Sequence, residues 1–250
     1  MNSKPPRYGV ARMISKLGLG SRTQGAKWVL EGQVRVNGRV VKDPEFPVNP
    51  EADRITVVGH EDRRDRLIIM LNKPRGLITT TSDEQGRDTV YQCFEGAGLP
   101  WLAPVGRLDK ASEGLLLFSN DPQWAARITS PAGGPEKTYH VQIDRVPDDE
   151  LIRNLERGRE AEGELLRARS VQTLRSGEKN SWLEITLDEG RNRQIRRLLS
   201  AFDIAVLRLV RVSIGKLQLG ELPKGRWRAL TQEEIEVLLG REGAAPLPPS

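Results

Sequence analysis

The sequence is poor in the side chains that build disulfides and metal centres. Its 250 residues include one cysteine, Cys93, and two histidines, His60 and His140. A single cysteine cannot form an internal disulfide, which agrees with a protein of the reducing cytoplasm. The three residues also lack the sequence spacing of zinc ligands, so we expect no metal site.

Long apolar runs and the common cofactor motifs are missing as well. No apolar segment approaches the roughly 20 residues that span a bilayer. Arg12 and Lys16 interrupt what would have to be the apolar core of a signal peptide, so we expect a cytoplasmic protein that binds no membrane. Neither common type of Gly-rich phosphate loop occurs, nor does the Gly-x-Ser-x-Gly turn of serine hydrolases. We therefore expect an activity that needs no cofactor.

What the chain has in excess is local positive charge. Its formal net charge is +5, but residues 4–42 hold nine lysines and arginines against one acid, Glu31. Residues 190–211 hold six arginines against Asp203. Clusters of one sign on a mixed chain favour a polyanionic partner, with nucleic acid as the first candidate. Charge alone leaves open a basic face that only keeps the protein in solution.

The first 58 residues have the pattern of two short helices followed by a hairpin. Apolar residues at helical spacing predict a first helix with an inward face of Val10, Met13, Ile14 and Leu17. A second helix, capped by Ser21, is expected to bury Ala26, Val29 and Leu30. Asn37-Gly38 lies between alternating residues and predicts a tight hairpin turn, because both positions accept positive φ.

This order of elements is similar to that of the S4 RNA-binding domain. The similarity rests on the stretch SRTQGAKWVLEGQVRVNGRVV, residues 21–41, and implies an S4-like domain over residues 1–58. It also implies a helical face that meets RNA phosphates through Arg12, Lys16, Arg22 and Lys27. Such contacts position a protein on RNA without reading the base sequence.

The rest of the chain mixes strands and helices. Residues 59–66 are polar and charged and are expected to be a linker, residues 67–240 a second domain, and residues 241–250 a disordered tail. Strands are predicted at 67–71, 115–119, 137–143, 182–187 and 204–210. Helices are predicted at 122–128, 148–157, 193–201 and 232–239. Because strands and helices do not alternate strictly, the order favours an α+β fold.

One segment of the second domain, residues 106–121, stands out chemically. Asp109 lies in a polar, glycine-bounded stretch directly before an apolar strand, where a rigid sheet can hold a loop group in place. Aspartates in loops more often bond the nearby backbone, so a structural turn is the alternative. Lys73, at the end of an earlier strand, is assigned a structural role in preference to a catalytic contact.

The sequence of residues 106–117, GRLDKASEGLLL, closely resembles a motif of pseudouridine synthases, specifically the RsuA/RluB/RluE/RluF group. Further stretches resemble motifs of that group in the same order: LNKPRG (71–76), EKTYHVQI (136–143), LDEGRNRQIRRLL (187–199) and LRLVRVSIGKLQLGELPKGRWRAL (207–230). An S4 module ahead of the catalytic domain is usual in this group. The resemblance implies a mixed, mainly antiparallel sheet flanked by helices, and an enzyme that isomerises a uridine of ribosomal RNA.

The resemblance also implies a role for particular residues. Asp109 matches the catalytic carboxylate, Tyr139 the tyrosine that packs against the target base, and Arg196 the basic residue paired with the aspartate. Arg107 matches the arginine that occupies the space vacated by the flipped nucleotide. Further RNA contacts are expected from Arg191, Arg193, Gln194 and Arg197. Strand periodicity alone would also allow the ring of Tyr139 to be ordinary sheet packing.

These roles suit an isomerisation in which the glycosidic bond breaks and the uracil rejoins the same sugar through carbon 5. No atoms are gained or lost, so no cofactor is needed. A carboxylate can attack the sugar or the base, or serve as the base of an elimination, and the sequence leaves these routes open. The alternatives are a catalytically inactive S4-type RNA-binding or ribosome-assembly factor and, less favoured, a nuclease. The motifs favour 23S ribosomal RNA as the partner of a monomeric enzyme.

Overall fold

A computed structural model describes residues 7–50, 52–59, 66–80, 87–130 and 133–240. The predicted tail, and the predicted linker apart from residues 59 and 66, lie outside these residues. The chain divides into two compact units. One is built mainly from the residues up to Ile68, with Gly96–Ala103 and Phe118–Trp124, and the other from the remaining residues.

The N-terminal region has the expected order of two helices and a small sheet. Its elements are β1 (Tyr8–Gly9), α1 (Val10–Lys16), α2 (Arg22–Leu30), β2 (Val34–Val36), β3 (Arg39–Val40), β4 (Pro47–Val48) and β5 (Ile55–Val57). Strands β3, β2 and β5 form an antiparallel sheet in that order, and β1 pairs with β4. The predicted hairpin turn is confirmed, because Asn37 and Gly38 have φ values of 50° and 80°.

The prediction is wrong for two leucines of the inward faces. Leu17 is 49% exposed and Leu30 is 65% exposed. Helix α1 ends before Leu17, so helical periodicity no longer directs that side chain to the core. In α2 the buried positions are Gly25 and Val29. A Cβ at residue 25 would lie 3.1 Å from Ile14, so the missing side chain lets the two helices approach closely.

The remainder of the chain forms a larger mixed structure. Its strands are β6 (Ile68–Lys73), β7 (Ala103–Val105), β8 (Glu113–Ser119), β9 (Lys137–Ile143), β10 (Arg159–Ala161), β11 (Glu164–Leu166), β12 (Ser170–Ser176), β13 (Ser181–Leu187), β14 (Val206–Ile214), β15 (Leu217–Gln218) and β16 (Trp227–Ala229). Its helices are α3 (Pro122–Ile128), α4 (Asp149–Arg157), α5 (Gln194–Ser200) and α6 (Gln232–Leu238), with a 3-10 helix at Val90–Phe94.

One sheet organises this region. Its strand order is β12-β13-β9-β14-β8-β6-β16, with β15 beside β14 and β7 beside β8. Strand β14 runs parallel to β8 and antiparallel to β9, and the pairs β12–β13, β13–β9 and β16–β6 are antiparallel. The α+β expectation and the mixed, mainly antiparallel sheet are confirmed. The β10–β11 hairpin stands apart from this sheet.

The central strands of the sheet are buried and closely packed. Every residue of β8 is buried, while β9 and β13 alternate between buried and half-buried positions. A Cβ at residue 114 of β8 would lie 2.2 Å from the backbone oxygen of Arg211 on β14, and the φ of Gly114 is +100°. Glycine at this position therefore lets the two strands meet.

Candidate active site

Asp109 lies in the loop between β7 and β8 and lines a cavity of about 500 Å³. Arg107 lines the same cavity from this loop, Tyr139 from β9, Arg193 from the turn before α5, and Arg196 from α5. Elements far apart in sequence thus bring together the residues that the motifs singled out. The Asp109 carboxylate, whose side chain is 34% exposed, is thus surrounded by cations and one aromatic ring.

Lys73 holds the backbone of the Asp109 loop by hydrogen bonds to its carbonyl groups. Its Nζ donates hydrogen bonds to the carbonyl oxygens of Pro74 (3.1 Å), Asp109 (3.1 Å) and Ser112 (2.8 Å). Burial lowers the pKa of Lys73 to about 8, although Asp109 and Glu113 act in the opposite direction. These contacts agree with the structural role predicted for Lys73 and place its charge directly behind the loop.

The Asp109 carboxylate faces two arginines rather than the one that the sequence indicated. Nη1 of Arg193 donates a hydrogen bond to Oδ2 of Asp109 at 3.3 Å, whereas Nε of Arg196 lies 3.9 Å from the same oxygen. Arg196 also donates to the carbonyl of Ala111 at 3.4 Å. Its side chain is 17% exposed, and that of Arg193 is 52% exposed. Burial lowers the pKa of Arg196, and the positive charge of Arg193 lowers it further.

The position of Arg193 explains why sequence periodicity missed its contact with the carboxylate. Periodicity predicts a helix throughout residues 193–201, with Arg193 turned towards RNA phosphates. The helix begins only at Gln194, and Arg193 has a left-handed conformation with φ 49° and ψ 30°. Helical spacing therefore says nothing about the direction of its side chain.

Tyr139 forms part of the wall of the cavity. It is 9% exposed, and β9 also contributes Lys137 to the lining. Burial lowers the pKa of Lys137, and so does the nearby Arg211. Leu209 and Ile214 of β14 add apolar surface. An aromatic and apolar wall beside a carboxylate suits a flat, polar-edged ring such as a nucleobase.

Two further arginines expected to bind RNA already have partners within the protein. Arg191 lies 2.8 Å from Glu189. Arg197 is 19% exposed at its side chain and lies 2.8 Å from Glu162 and 3.0 Å from Glu164. The two glutamates fix Arg197 beside the β10–β11 hairpin, and Arg191 reaches the same hairpin by donating from Nη1 to the carbonyl of Leu165 at 3.3 Å.

Gln194 is buried beside the loop that precedes α5. It is 2% exposed, and its Nε2 donates to the carbonyl of Arg167 (3.2 Å) and to Glu189 (2.8 Å). Its Oε1 accepts from the backbone of Arg191 at 3.2 Å. Its amide therefore holds the loop before α5, and Gln194 also lines the cavity that contains Asp109.

The basic residues of the N-terminal helices lie at the surface. Lys16 lies with its Nζ 3.6 Å from the ring centroid of Tyr8, and the guanidinium of Arg12 lies 5.1 Å from the same ring. Arg22 pairs with Glu45 at 2.9 Å, and Lys27 lies 3.9 Å from Glu31. Solvent-exposed pairs of this kind are worth only about 0–1 kcal/mol, so a phosphate can displace either carboxylate.

Comparison with known proteins decides the class. A family model described as RNA pseudouridylate synthase matches residues 67–201, more than half of the chain. The chain belongs to the RNA pseudouridine synthase family. A second family model, the S4 domain, matches residues 10–55. The enzyme class and the S4 module that the motifs predicted are therefore confirmed.

Relatives of this pseudouridine synthase match nearly its whole length. An uncharacterized RNA pseudouridine synthase of Aquifex aeolicus is 36% identical over 96% of both chains. Ribosomal large subunit pseudouridine synthase B of Bacillus subtilis is 36% identical, covering 91% of this chain and 93% of its own length. A crystal structure of a pseudouridylate synthase has a TM-score of 0.64 at 32% identity, covering 92% of this chain and 99% of that one.

The described part of the synthase shows neither a metal-binding cluster nor a membrane span. Within the ranges that the structure describes, no group of three or more His, Cys, Asp or Glu side chains is arranged to hold a metal ion. Among the same residues, no helix has the length and apolar character needed to cross a bilayer.

Proposed function

We propose that this pseudouridine synthase converts one uridine of 23S ribosomal RNA to pseudouridine and that Asp109 is its catalytic carboxylate. The observation that carries the proposal is the cavity in which Asp109 faces Arg193 and Arg196 beside the ring of Tyr139. The name of the Bacillus subtilis relative supports the large ribosomal subunit as the source of the substrate. The enzyme acts as a cytoplasmic monomer, without metal or cofactor.

In the proposed reaction, Asp109 promotes cleavage of the bond between the sugar and uracil N1. The released uracil turns while it is confined in the cavity, and carbon 5 then bonds to the same sugar carbon. Carbon 5 gives up its proton and N1 takes up a proton, so that no atom is gained or lost overall. Tyr139 packs against the uracil, and such stacking contributes roughly 1–3 kcal/mol per base. The positive charges of Arg196 and Arg193 hold the Asp109 carboxylate in the cavity, where it can attack the nucleoside or abstract a proton from it.

The uridine must leave its stack before it can reach Asp109. Extrusion of a base costs a few kcal/mol, which new contacts must offset. Arg107 is exposed, lies two residues before Asp109, and lines the cavity. We assign it to the space that the flipped nucleotide leaves. Arg12, Lys16, Arg22 and Lys27 would hold the RNA phosphates.

The arginines around α5 divide into two classes in this proposal. Arg191 and Arg193 are accessible enough to contact phosphate once RNA is bound, since their side chains are 39% and 52% exposed. Arg197 is more enclosed and paired with two glutamates, so any RNA contact it makes requires those pairs to loosen. Gln194 is a positioning residue for the loop.

The test is pseudouridine mapping on unmodified 16S and 23S transcripts incubated with wild type, Asp109→Ala or Asp109→Asn. We expect one new pseudouridine in 23S RNA with wild type and none with either variant, while RNA affinity stays within a few fold. A product in 16S RNA would reassign the subunit. Loss of RNA binding in the variants would overturn the catalytic assignment of Asp109. If the wild type forms no pseudouridine in either transcripts or assembly intermediates, a catalytically inactive RNA-binding factor would be favoured.

A further inference from the structure

The residue that precedes Asp109 is held by a single hydroxyl group. Thr79 is 5% exposed, and its Oγ1 donates to the carbonyl oxygen of Leu108 at 2.8 Å. The same Oγ1 accepts from the backbone N–H of Leu108 at 3.4 Å. Leu108 itself is 6% exposed, so its backbone groups are shielded from the water that could otherwise replace the hydroxyl.

The segment that carries Thr79 is itself anchored. The backbone N–H of Ile78 donates to the backbone carbonyl of Asp88 at 3.0 Å. The carbonyl of Ile78 accepts from the backbone N–H of Val90 at 3.0 Å. Three residues before Thr79, the N–H of Gly76 donates to the carbonyl of Lys110 at 2.8 Å. The segment thus holds the Asp109 loop on both sides of the aspartate.

The hydroxyl has a specific geometric effect. Bonds to both the N–H and the C=O of Leu108 restrain the two peptide planes that flank this residue, and the second of these planes leads directly into Asp109. Rotation of that plane would turn the Cα–Cβ bond of Asp109 and move its carboxylate relative to Arg193 and Arg196. Thr79 does not contribute to the lining of the cavity, so its hydroxyl acts on the cavity through the backbone of Leu108.

We propose that Thr79 is a positioning residue for Asp109, acting through the backbone of Leu108. The inference rests on the proposed catalytic role of Asp109. The hydroxyl, and not the volume of the side chain, is the feature that matters. Valine has nearly the same shape as threonine but cannot form these hydrogen bonds, whereas serine keeps the hydroxyl and lacks only the methyl group.

The experiment compares Thr79→Val and Thr79→Ser in steady-state pseudouridine formation on the 23S transcript. Thr79→Val should lower kcat roughly 10- to 100-fold, the scale expected for a small misplacement of a catalytic group. Its KM should stay within about twofold, because the RNA surface is untouched. Thr79→Ser should restore kcat to within about threefold of wild type. Equal loss in both variants, or a change in KM alone, would overturn the proposal.

Thr138→Val is the matched control for loss of a threonine hydroxyl. Oγ1 of Thr138 lies 3.1 Å from Oγ1 of Thr186, and Thr138 is not part of the cavity lining. We expect it to lower the melting temperature slightly and to leave kcat unchanged. A drop in kcat equal to that of Thr79→Val would mean that a general loss of stability explains both, and would overturn the positioning role.

A crystal structure of Thr79→Val separates this inference from the proposed function. We expect the Leu108 carbonyl to have turned and the 3.3 Å contact between Arg193 and Asp109 to be lost. An unchanged loop would overturn the inference whatever the RNA assay shows. Inactivity of the wild type would instead refute the proposed function. If Thr79→Val does not fold, Thr79→Ala is subject to the same two measurements.

Discussion

Nη1 of Arg193 lies 3.3 Å from Oδ2 of Asp109, within hydrogen-bonding distance, although Arg193 stands outside the helix that begins at the next residue. Arg196, on that helix, lies 3.9 Å from the same oxygen in a less exposed position. The nearer arginine is thus the more solvated one. Distance and burial therefore make opposite predictions about which cation matters more.

We expect burial to outweigh distance. Exposed ion pairs contribute about 0.2–1 kcal/mol because water screens them, so Arg193→Ala should lower kcat by less than about fivefold and mainly raise KM. Loss of a more buried partner costs more, so Arg196→Ala should lower kcat roughly tenfold further or more. Steady-state rates measured over a range of RNA concentrations give both kcat and KM. A larger kcat loss in Arg193→Ala would make Arg193 the working partner of Asp109.

The N-terminal helices should contribute to RNA binding through charge. Replacing both Arg22 and Lys27 by alanine should weaken binding and reduce the slope of log K against log salt by up to about 1.4–1.8, because each lost phosphate contact contributes about 0.7–0.9. Affinity measured between low and moderate salt gives this slope. Arg153→Ala with Arg157→Ala removes equal charge from exposed positions of α4 and should leave it unchanged. An unaltered slope in the first variant would place the RNA-binding surface elsewhere.

Gly114 should be among the least replaceable residues of the sheet. Gly114→Ala combines an unfavourable φ of +100° with a Cβ only 2.2 Å from a backbone oxygen of β14, so it should cost more than about 4 kcal/mol or prevent folding. Gly76 has φ +101°, but a Cβ there would meet nothing within 4 Å. Gly76→Ala should therefore cost only the strain of the backbone, about 1–3 kcal/mol. Urea unfolding of both variants measures the difference, and equal costs would show that the strands can separate without penalty.

Lys73 should make stability depend on pH in the alkaline range. The unfolded lysine holds its proton up to a pKa of about 10.4, whereas burial lowers the folded pKa to about 8. Between these values the unfolded chain binds more protons, so the contribution of Lys73 to the free energy of unfolding rises with pH. Urea titrations at pH values of about 7.5, 9 and 10.5, which bracket this window, should show a smaller rise in Lys73→Met than in wild type. Lys110→Met, which removes an exposed lysine of the Asp109 loop, should behave as wild type.

Much of the fold could be predicted because local signals and tertiary packing agree. The turn at Asn37-Gly38 and the strand Lys137–Ile143 follow directly from residue type and alternation. Strand β12 could not be found in this way, because most of its residues are exposed and only Val171 is buried, so it shows no alternation. The exposure of Leu17 and Leu30 could not be predicted, because periodicity cannot show where a helix stops packing against its neighbours.

The candidate site was predictable in composition but less so in geometry. Motifs named Asp109, Tyr139 and Arg196, and all three line one cavity. The hydrogen bond from Arg193 depends on a single left-handed residue, and nothing in residue type or spacing indicates it. Thr79 has no distinguishing pattern in the sequence, because it is one threonine among three in a row. Its position becomes informative only when the backbone of Leu108 is placed beside it.

The position of β14 has a consequence for how the enzyme is made. This strand, residues 206–214, lies between β9 and β8 and so joins the part of the sheet formed by β6 and β8 to the part formed by β9, β13 and β12. A growing chain leaves the ribosome from its N-terminus, so both parts emerge with an unpaired edge before the strand that connects them. The cavity also lacks Leu209, Arg211 and Ile214 until then. The wall of the cavity can therefore be completed only after synthesis has passed residue 214.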